Sequence, residues 1–251
     1  MGSEDQQELN TLFFALASES RLSILRELLT HSLRIQQIAK MVDLTETEAC
    51  RQVQKLSEAQ LVQKQSNGEY ALTTYSRLIL DLSSPMEFVL RHKAFVLKHD
   101  MFLLPDDLRA RLRDLSGCQL ITDPIETINK LAEMVKNAQK QIDEVIAGLE
   151  SIVELTRQRL YEGVKVRWLI KENLLPKATS LLCSWEQLPE IRAAPSIIGH
   201  YGVTETGAIL TLMQKDGMIG YISFFGESAS FLKWTEDLFM YEWQRAKPWH
   251  P

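Results

Sequence analysis

Two sets of side chains in this 251-residue chain are spaced for recognition. In the first, Thr47, Arg51, Gln54 and Glu58 recur at helical intervals and form one stripe, while Ala49, Val53 and Leu56 form an apolar stripe opposite. Arginine can bond guanine through two parallel hydrogen bonds and glutamine can read adenine. Thr47, Arg51, Gln54 and the neighbouring Lys55 are therefore candidates for reading base edges in a major groove. Lys64 and Asn67, on the hairpin that follows, would meet phosphates or the minor groove. In the second set, Arg167 and Lys171 share the C-terminal edge of one strand with no acid between them, and α/β sheets tend to hold ligands at such edges. With His200, Tyr201 and Tyr221 they could line a pocket for a small anionic effector. The plainer alternative puts Trp168, Phe224, Trp234 and Trp243 in the core and pairs Arg167 with a buried carboxylate such as Asp237.

Other chemistry finds little material. His92 and His99 stand seven apart on one helix face, too far to share an ion, and His99 with Asp100 reads as a local polar cap, so no metal site is expected. Cys50, Cys118 and Cys183 lie far apart without a CxxC pair, which fits a reducing compartment. With 11 glycines in the chain, phosphate-cradling loops are scarce, and no cofactor is expected. No apolar run approaches the roughly 18 residues that a membrane-spanning helix needs. Met1 to Asp5 lacks the basic and apolar regions of a signal peptide, so the chain reads as cytoplasmic, with no membrane partner. The net charge is -5, and residues 1–80 hold eight Lys and Arg against ten Asp and Glu. Nonspecific coating of nucleic acid is thus not expected, and any DNA contact must be local.

The surrounding elements follow from pattern. Leu9 to Ala17 is apolar, Ser20 can cap a second helix carrying Leu22, Leu25, Leu28 and Leu29, and Ile35, Ile38, Ala39 and Val42 form a third short stripe. Thr45 and Glu48 make a capping box that opens a fourth helix. Leu61 to Lys64 and Tyr70 to Thr73 are strands bracketing Asn67-Gly68, a two-residue hairpin signal. Helices are expected over Tyr75 to Leu82 and, after an interruption at Pro85, over Met86 to Lys98. Beyond these, Pro105-Asp106-Asp107 starts a helix, Ile125 to about Ile142 reads as one helix, and Leu155 to Tyr161 reads as another, stopped by Gly163 before the strand Val164 to Ile170. Ile209 to Met213 and Met218 to Phe224 flank Asp216-Gly217 as strands, and a last helix spans about Ser228 to Arg245. Helix and strand alternate and then a hairpin follows, which implies a mixed sheet.

The run from Ala15 to Leu25, with Leu44 to Val62, resembles winged-helix repressors of the arsenic-repressor type. Gln60 departs from the pattern, standing where that family usually has glycine, which weakens the helix C-cap. Three further stretches resemble the sensor domain of methanogenesis regulators: Lys98 to Asp100 with Leu104 to Leu112, Gly163 to Trp168, and Phe231 to Trp243. That domain is related to phospholipase D and follows a winged helix in many archaeal transcription regulators. The resemblance implies an α+β or α/β chain with an N-terminal winged helix-turn-helix over 1–74 and connector and dimerisation helices over 75–100. A mixed-sheet, phospholipase-D-like, effector-sensing domain would occupy 101–251. It also implies double-stranded DNA as partner. Between Tyr75 and Lys98, Leu78, Leu82, Val89 and Leu97 offer more apolar surface than a solvated linker needs, so a homodimer through these helices is expected. Phospholipase D enzymes use a His-x-Lys-x4-Asp motif. Two residues after His200 stands Gly202 and seven after it stands Gly207, and His31, His92, His99 and His250 also lack the lysine, so no catalytic residues and no enzyme activity are expected. The competing readings are a winged-helix module for protein contacts with a scaffold domain, or a phosphodiesterase.

Overall fold

The structure is a computed structural model that describes residues 2–148 and 152–251. Its chain divides into two units, Met1–Ser84 and Pro85–Pro251.

In the first unit, helices α1 (Ser3–Leu16), α2 (Glu19–Thr30), α3 (Ile35–Met41) and α4 (Glu46–Glu58) precede an antiparallel pair, β1 (Val62–Lys64) and β2 (Tyr70–Leu72), and then α5 (Thr74–Arg91) begins. Ile24, Leu25, Leu28, Ile38, Ala49, Val53, Leu56 and Leu61 form its core, so the apolar stripe expected on the fourth helix does face inward. Helical bonding in α2 starts at Ser18, whose carbonyl accepts from the Leu22 N–H, which puts Ser18 rather than Ser20 at the cap position. The Thr45 and Glu48 capping box forms as expected: the Glu48 N–H donates to Thr45 Oγ1, and the Thr45 N–H and hydroxyl both donate to Glu48. Buried Arg21 ties three helices together by donating to the Ala15 and Phe14 carbonyls, each at 2.6 Å, and to Gln52 Oε1 at 3.1 Å. The carbonyls at the end of α1 have no helical partner, and the guanidinium supplies one.

Two local expectations need correction. The hairpin turn spans Gln65 to Glu69: the Gly68 N–H donates to the Gln65 carbonyl, and of the turn residues only Gly68 has positive φ, at 82°. Asn67 does not take a positive φ and its side chain accepts from the Glu69 N–H, so the connection is longer than the two-residue hairpin that Asn-Gly suggests. Pro85 does not interrupt the chain either, since α5 runs through it. Proline costs a helix one hydrogen bond, but Phe88, one turn on, is fully committed to a core, and packing outweighs the lost bond. The 75–100 stretch is thus shared between the units.

The second unit continues through α6 (Lys93–Lys98), α7 (Asp106–Ala110), β3 (Gln119–Ile121), α8 (Pro124–Asn137), β4 (Gln141–Ile146) and α9 (Val153–Tyr161). It then passes through β5 (Lys165–Lys171), α10 (Leu175–Leu182), β6 (Glu190–Ala194), β7 (Gly199–Thr204), β8 (Ala208–Leu212), β9 (Ser223–Gly226), α11 (Ala229–Arg245) and β10 (Lys247–Pro248). Its eight-stranded mixed sheet has the order β10-β6-β5-β4-β7-β8-β9-β3, with β4, β5 and β6 parallel and the other pairings antiparallel. Parallel neighbours need crossovers, which α9 and α10 supply. One sheet face packs on α11 through Val145, Leu169, Tyr201, Leu210 and Phe224; the other packs on α8, α9 and α10 through Ile142, Ile146, Val166, Trp168 and Ile209.

The single helix expected over Ile125 to Ile142 ends at Asn137, and its last residues belong to the central strand β4. The break is tertiary in origin. The carboxylate of Glu205, at the β7–β8 turn, accepts from the backbone N–H groups of Gln139, Lys140 and Gln141, donors that a continuing helix would have used. Partial burial works against that charge, yet these backbone donors hold the carboxyl below its usual range.

Gln60 follows α4 in the left-handed region, with φ of 58°, and the Leu61 N–H donates back to the Leu56 carbonyl, which closes a Schellman cap. A side chain in that conformation is strained where glycine is not. Gln60→Gly should raise the stability of the first unit by about 1 kcal/mol, read as a higher urea midpoint at unchanged slope.

Candidate functional site

On the first unit, Thr47, Arg51, Gln54 and Lys55 are all exposed on α4, and Lys64 is exposed on the adjoining wing. A groove of about 380 Å³ runs between helix and wing, lined by Cys50, Gln54, Ser57, Gln63, Lys64 and Tyr70. Glu48 lies on the same helix, but its charge is committed to Thr45, whose hydrogen bonds hold the carboxyl below its usual range. Gln54 donates to Glu58 at 3.1 Å across an exposed turn, a bond that water or a base edge can replace. Asn67 does not offer a free side chain: it bonds Glu69 through both its oxygen and its nitrogen and so holds the turn. Arg34, absent from the expected set, donates to the Asn67 carbonyl at 3.5 Å and adds a cation at the wing tip. It lies 33 residues away in sequence and carries no local signal.

On the second unit, the expected ligand residues do not converge. Arg167 lies on the α11 face of the sheet and makes a two-pronged pair with buried Asp143, with Nε to Oδ1 and Nη2 to Oδ2 both at 2.6 Å. Its guanidinium also lies over the rings of Phe239 and Trp243. Burial pushes the Asp143 carboxyl up, against the pull of Arg167, and the Asp143 hydrogen bond raises Arg167 in turn. Arg167 is therefore spent, as the plainer alternative had it, but on Asp143; Asp237 pairs instead with Arg111 at 2.8 Å and Lys233 at 2.9 Å. Lys171 ends β5 on the same face. Tyr201 is also on that face, fully buried, and donates to Glu242. Burial raises Glu242 to about 7, and it accepts from the Ile198 N–H as well.

His200 and Tyr221 do meet. They line a cavity of about 360 Å³ on the opposite face, with Ile128, Leu131, Gly148, Ile209, Thr211 and Ile219. A smaller space of about 20 Å³ shares His200 and Gly148 and is walled by Glu144 and Trp168. The site lies beyond the carboxyl end of β4, where the chain passes to β5 on one side and later returns as β7 on the other; such a switch point opens a crevice in an α/β sheet.

Glu144 lies just past the stretch that reads as helix, on β4. It is 5% exposed, its Oε2 accepts from Trp168 Nε1 at 2.7 Å, and its Oε1 has no partner among the described residues. Desolvation pushes its carboxyl up to about 7, and burial pushes the His200 imidazole down to about 4. Glu144 is in register with Gly202, where a Cβ would stand 3.4 Å from Glu144 Cγ. Elsewhere, His99 is buried against Phe95 and bonds its carbonyl, while Asp100 caps the following turn through the Phe102 N–H. No cluster of three or more potential metal ligands occurs among the described residues. The cysteines are free, and no helix among the described residues is long and apolar enough to cross a membrane.

A helix-turn-helix with a two-stranded wing, followed by a mixed α/β sheet unit, is the class of protein that these elements define. No family model matches the chain, and no curated protein matches it. Among solved structures it is similar to TrmBL2, described as an archaeal chromatin protein with a novel mode of DNA binding, at 14% identity over 98% of this chain and 100% of that one, with a TM-score of 0.45. It is similar to NucT from Helicobacter pylori at 8% identity over 53% of this chain and 99% of that one, with a TM-score of 0.43. For Nuc from Salmonella typhimurium, a phospholipase D family member, the values are 10%, 54%, 99% and 0.42.

Because Arg167 neutralises a buried carboxylate, Arg167→Ala should destabilise the second unit by about 3–5 kcal/mol in chemical denaturation, and Asp143→Asn in the same chain should recover part of that loss. A stable Arg167→Ala protein would return the side chain to the pool of ligand contacts.

Proposed function

We propose that this protein is a sequence-specific transcription regulator that binds double-stranded DNA through α4 and its wing. In this reading it acts as a homodimer, and a small ligand in the second unit sets its DNA affinity. The observation that carries the reading is the exposed face of α4, where Thr47, Arg51, Gln54 and Lys55 lie open to solvent while Ala49, Val53 and Leu56 anchor the helix below. A helix seated in this way can enter a major groove without moving its core. Lys64 and Arg34 add cations at the wing, and the small number of cations overall makes the interaction depend on dimer geometry more than on bulk charge.

A second copy is supported by α5, where Tyr75, Leu78, Leu82, Met86 and Leu90 are exposed at spacings of three and four residues, an apolar stripe that water does not favour. The phosphodiesterase reading finds no support at His200. Gly202 supplies no phosphate-binding lysine, and the nearest charged group across the register is the acid Glu144.

Fluorescence anisotropy on DNA from upstream of its own gene tests the first part. Arg51→Ala should cost about 1–3 kcal/mol on the preferred site and less on random DNA; equal losses on both would make Arg51 a phosphate anchor. Sedimentation velocity at tens of micromolar tests the second. The native chain should run as a dimer and the double variant Leu82→Glu, Leu90→Glu as a monomer with weakened binding to two-half-site DNA. A native monomer under these conditions would remove the homodimer from the reading.

A further inference from the structure

Three features of the switch-point cavity point to a particular ligand chemistry. The first is an incomplete polar group. Among the described residues Glu144 Oε1 is buried without a partner, a condition that costs a folded protein free energy and that native interiors avoid. The second is space. The pocket beside Glu144, at about 20 Å³, admits one group the size of a water molecule, and it shares His200 and Gly148 with the larger cavity of about 360 Å³. The third is charge. Among the described residues lining both spaces there is no lysine or arginine; Glu144 is the acid there, its carboxyl pushed up to about 7 by burial and therefore only partly ionised until a cation joins it, and burial keeps His200 neutral near pH 7 with a ring nitrogen able to accept. An anion would enter this site without a counter-charge. The lining therefore opposes the anionic effector expected from Arg167 and Lys171.

We propose that this cavity binds a small amphipathic amine, with the ammonium in the pocket beside Glu144, hydrogen-bonded to Oε1 and His200, and the apolar body against Ile128, Leu131, Ile209 and Ile219. An ammonium group is close to water in size and carries donors only, so it satisfies two acceptors and at the same time draws Glu144 into its ionised form. Trp168 Nε1 holds the other carboxyl oxygen and so aims Oε1. The inference deepens the ligand-controlled reading above and rests on it only for the link to DNA.

Isothermal titration calorimetry of the full chain with benzylamine, benzyl alcohol and benzoate tests it. Benzylamine should bind about tenfold more tightly than benzyl alcohol, the margin of a charge-assisted hydrogen bond, and benzoate should give no binding. Glu144→Gln should bring benzylamine down to the level of benzyl alcohol. Ile128→Trp, at a half-exposed wall position, should fill the cavity and abolish benzylamine binding without disturbing the core, and it serves if the Glu144 variant does not fold. Benzoate binding as tightly as benzylamine, benzylamine binding that neither variant changes, or no benzylamine binding would each overturn the proposal. DNA anisotropy on the same preparation separates the two readings. DNA binding without amine binding overturns this site alone, whereas amine binding without DNA binding supports the site and overturns the regulator.

Discussion

Two adjacent carboxyl groups buried on the central strand β4 set the terms for the second unit. Successive strand residues point to opposite faces, so Asp143 and Glu144 enter different environments although they are neighbours in the chain. Asp143 meets Arg167 in a closed, two-pronged pair under the aromatic rings of α11. Among the described residues Glu144 meets a single donor, the Trp168 indole, and its other oxygen has no partner. Both partners come from β5, whose parallel register sets Arg167 opposite Asp143 and Trp168 opposite Glu144. A shift of one residue in that register would exchange the faces and leave both carboxyl groups buried without these partners.

The difference between the two faces separates stability from recognition. Burial of the Arg167 and Asp143 pair uses up the cation that would otherwise have drawn an anionic ligand to the strand end. On the opposite face, the side chains around His200 leave space where the sheet direction reverses, and among the described lining residues there is an acid, Glu144, and no lysine or arginine. Tyr201 and His200, consecutive on β7, are divided in the same way: the tyrosine closes a buried hydrogen bond to Glu242 and the histidine borders the cavity.

The first unit reaches its form by more local means. Its helices are capped or terminated by residues near them in sequence: Thr45 with Glu48, Asp43 and Gln60 in left-handed conformations, and Gly68 in the wing. Arg21 is the exception, since it connects α1, α2 and α4 through carbonyls and an amide that no pattern of spacing identifies. With the core below it fixed, α4 can present a polar face that bears no structural burden.

This contrast explains what was legible without a structure. The winged helix, its inward and outward stripes and its capping box could be read from the chain, because they depend on contacts within a few residues and on the 3.6-residue period. The last helix, with Ser228 at its cap, and the strand through Trp168 were legible for the same reason. The strands β3, β4, β6, β7 and β10 were not, and the strand expected over Met218 to Phe224 begins only at Ser223. The end of α8 depends on Glu205, which is 66 residues from Gln139 in sequence and follows the neighbouring strand β7, and a buried acidic pair in a strand looks, in sequence, like the polar face of a helix. Pairing Arg167 with Asp143 rather than Asp237, separating Tyr201 from His200, and leaving Glu144 with an open oxygen are all consequences of strand register. Register is a relation between segments far apart in the chain, settled by which apolar faces must be buried together, so it emerges only when the whole sheet is assembled.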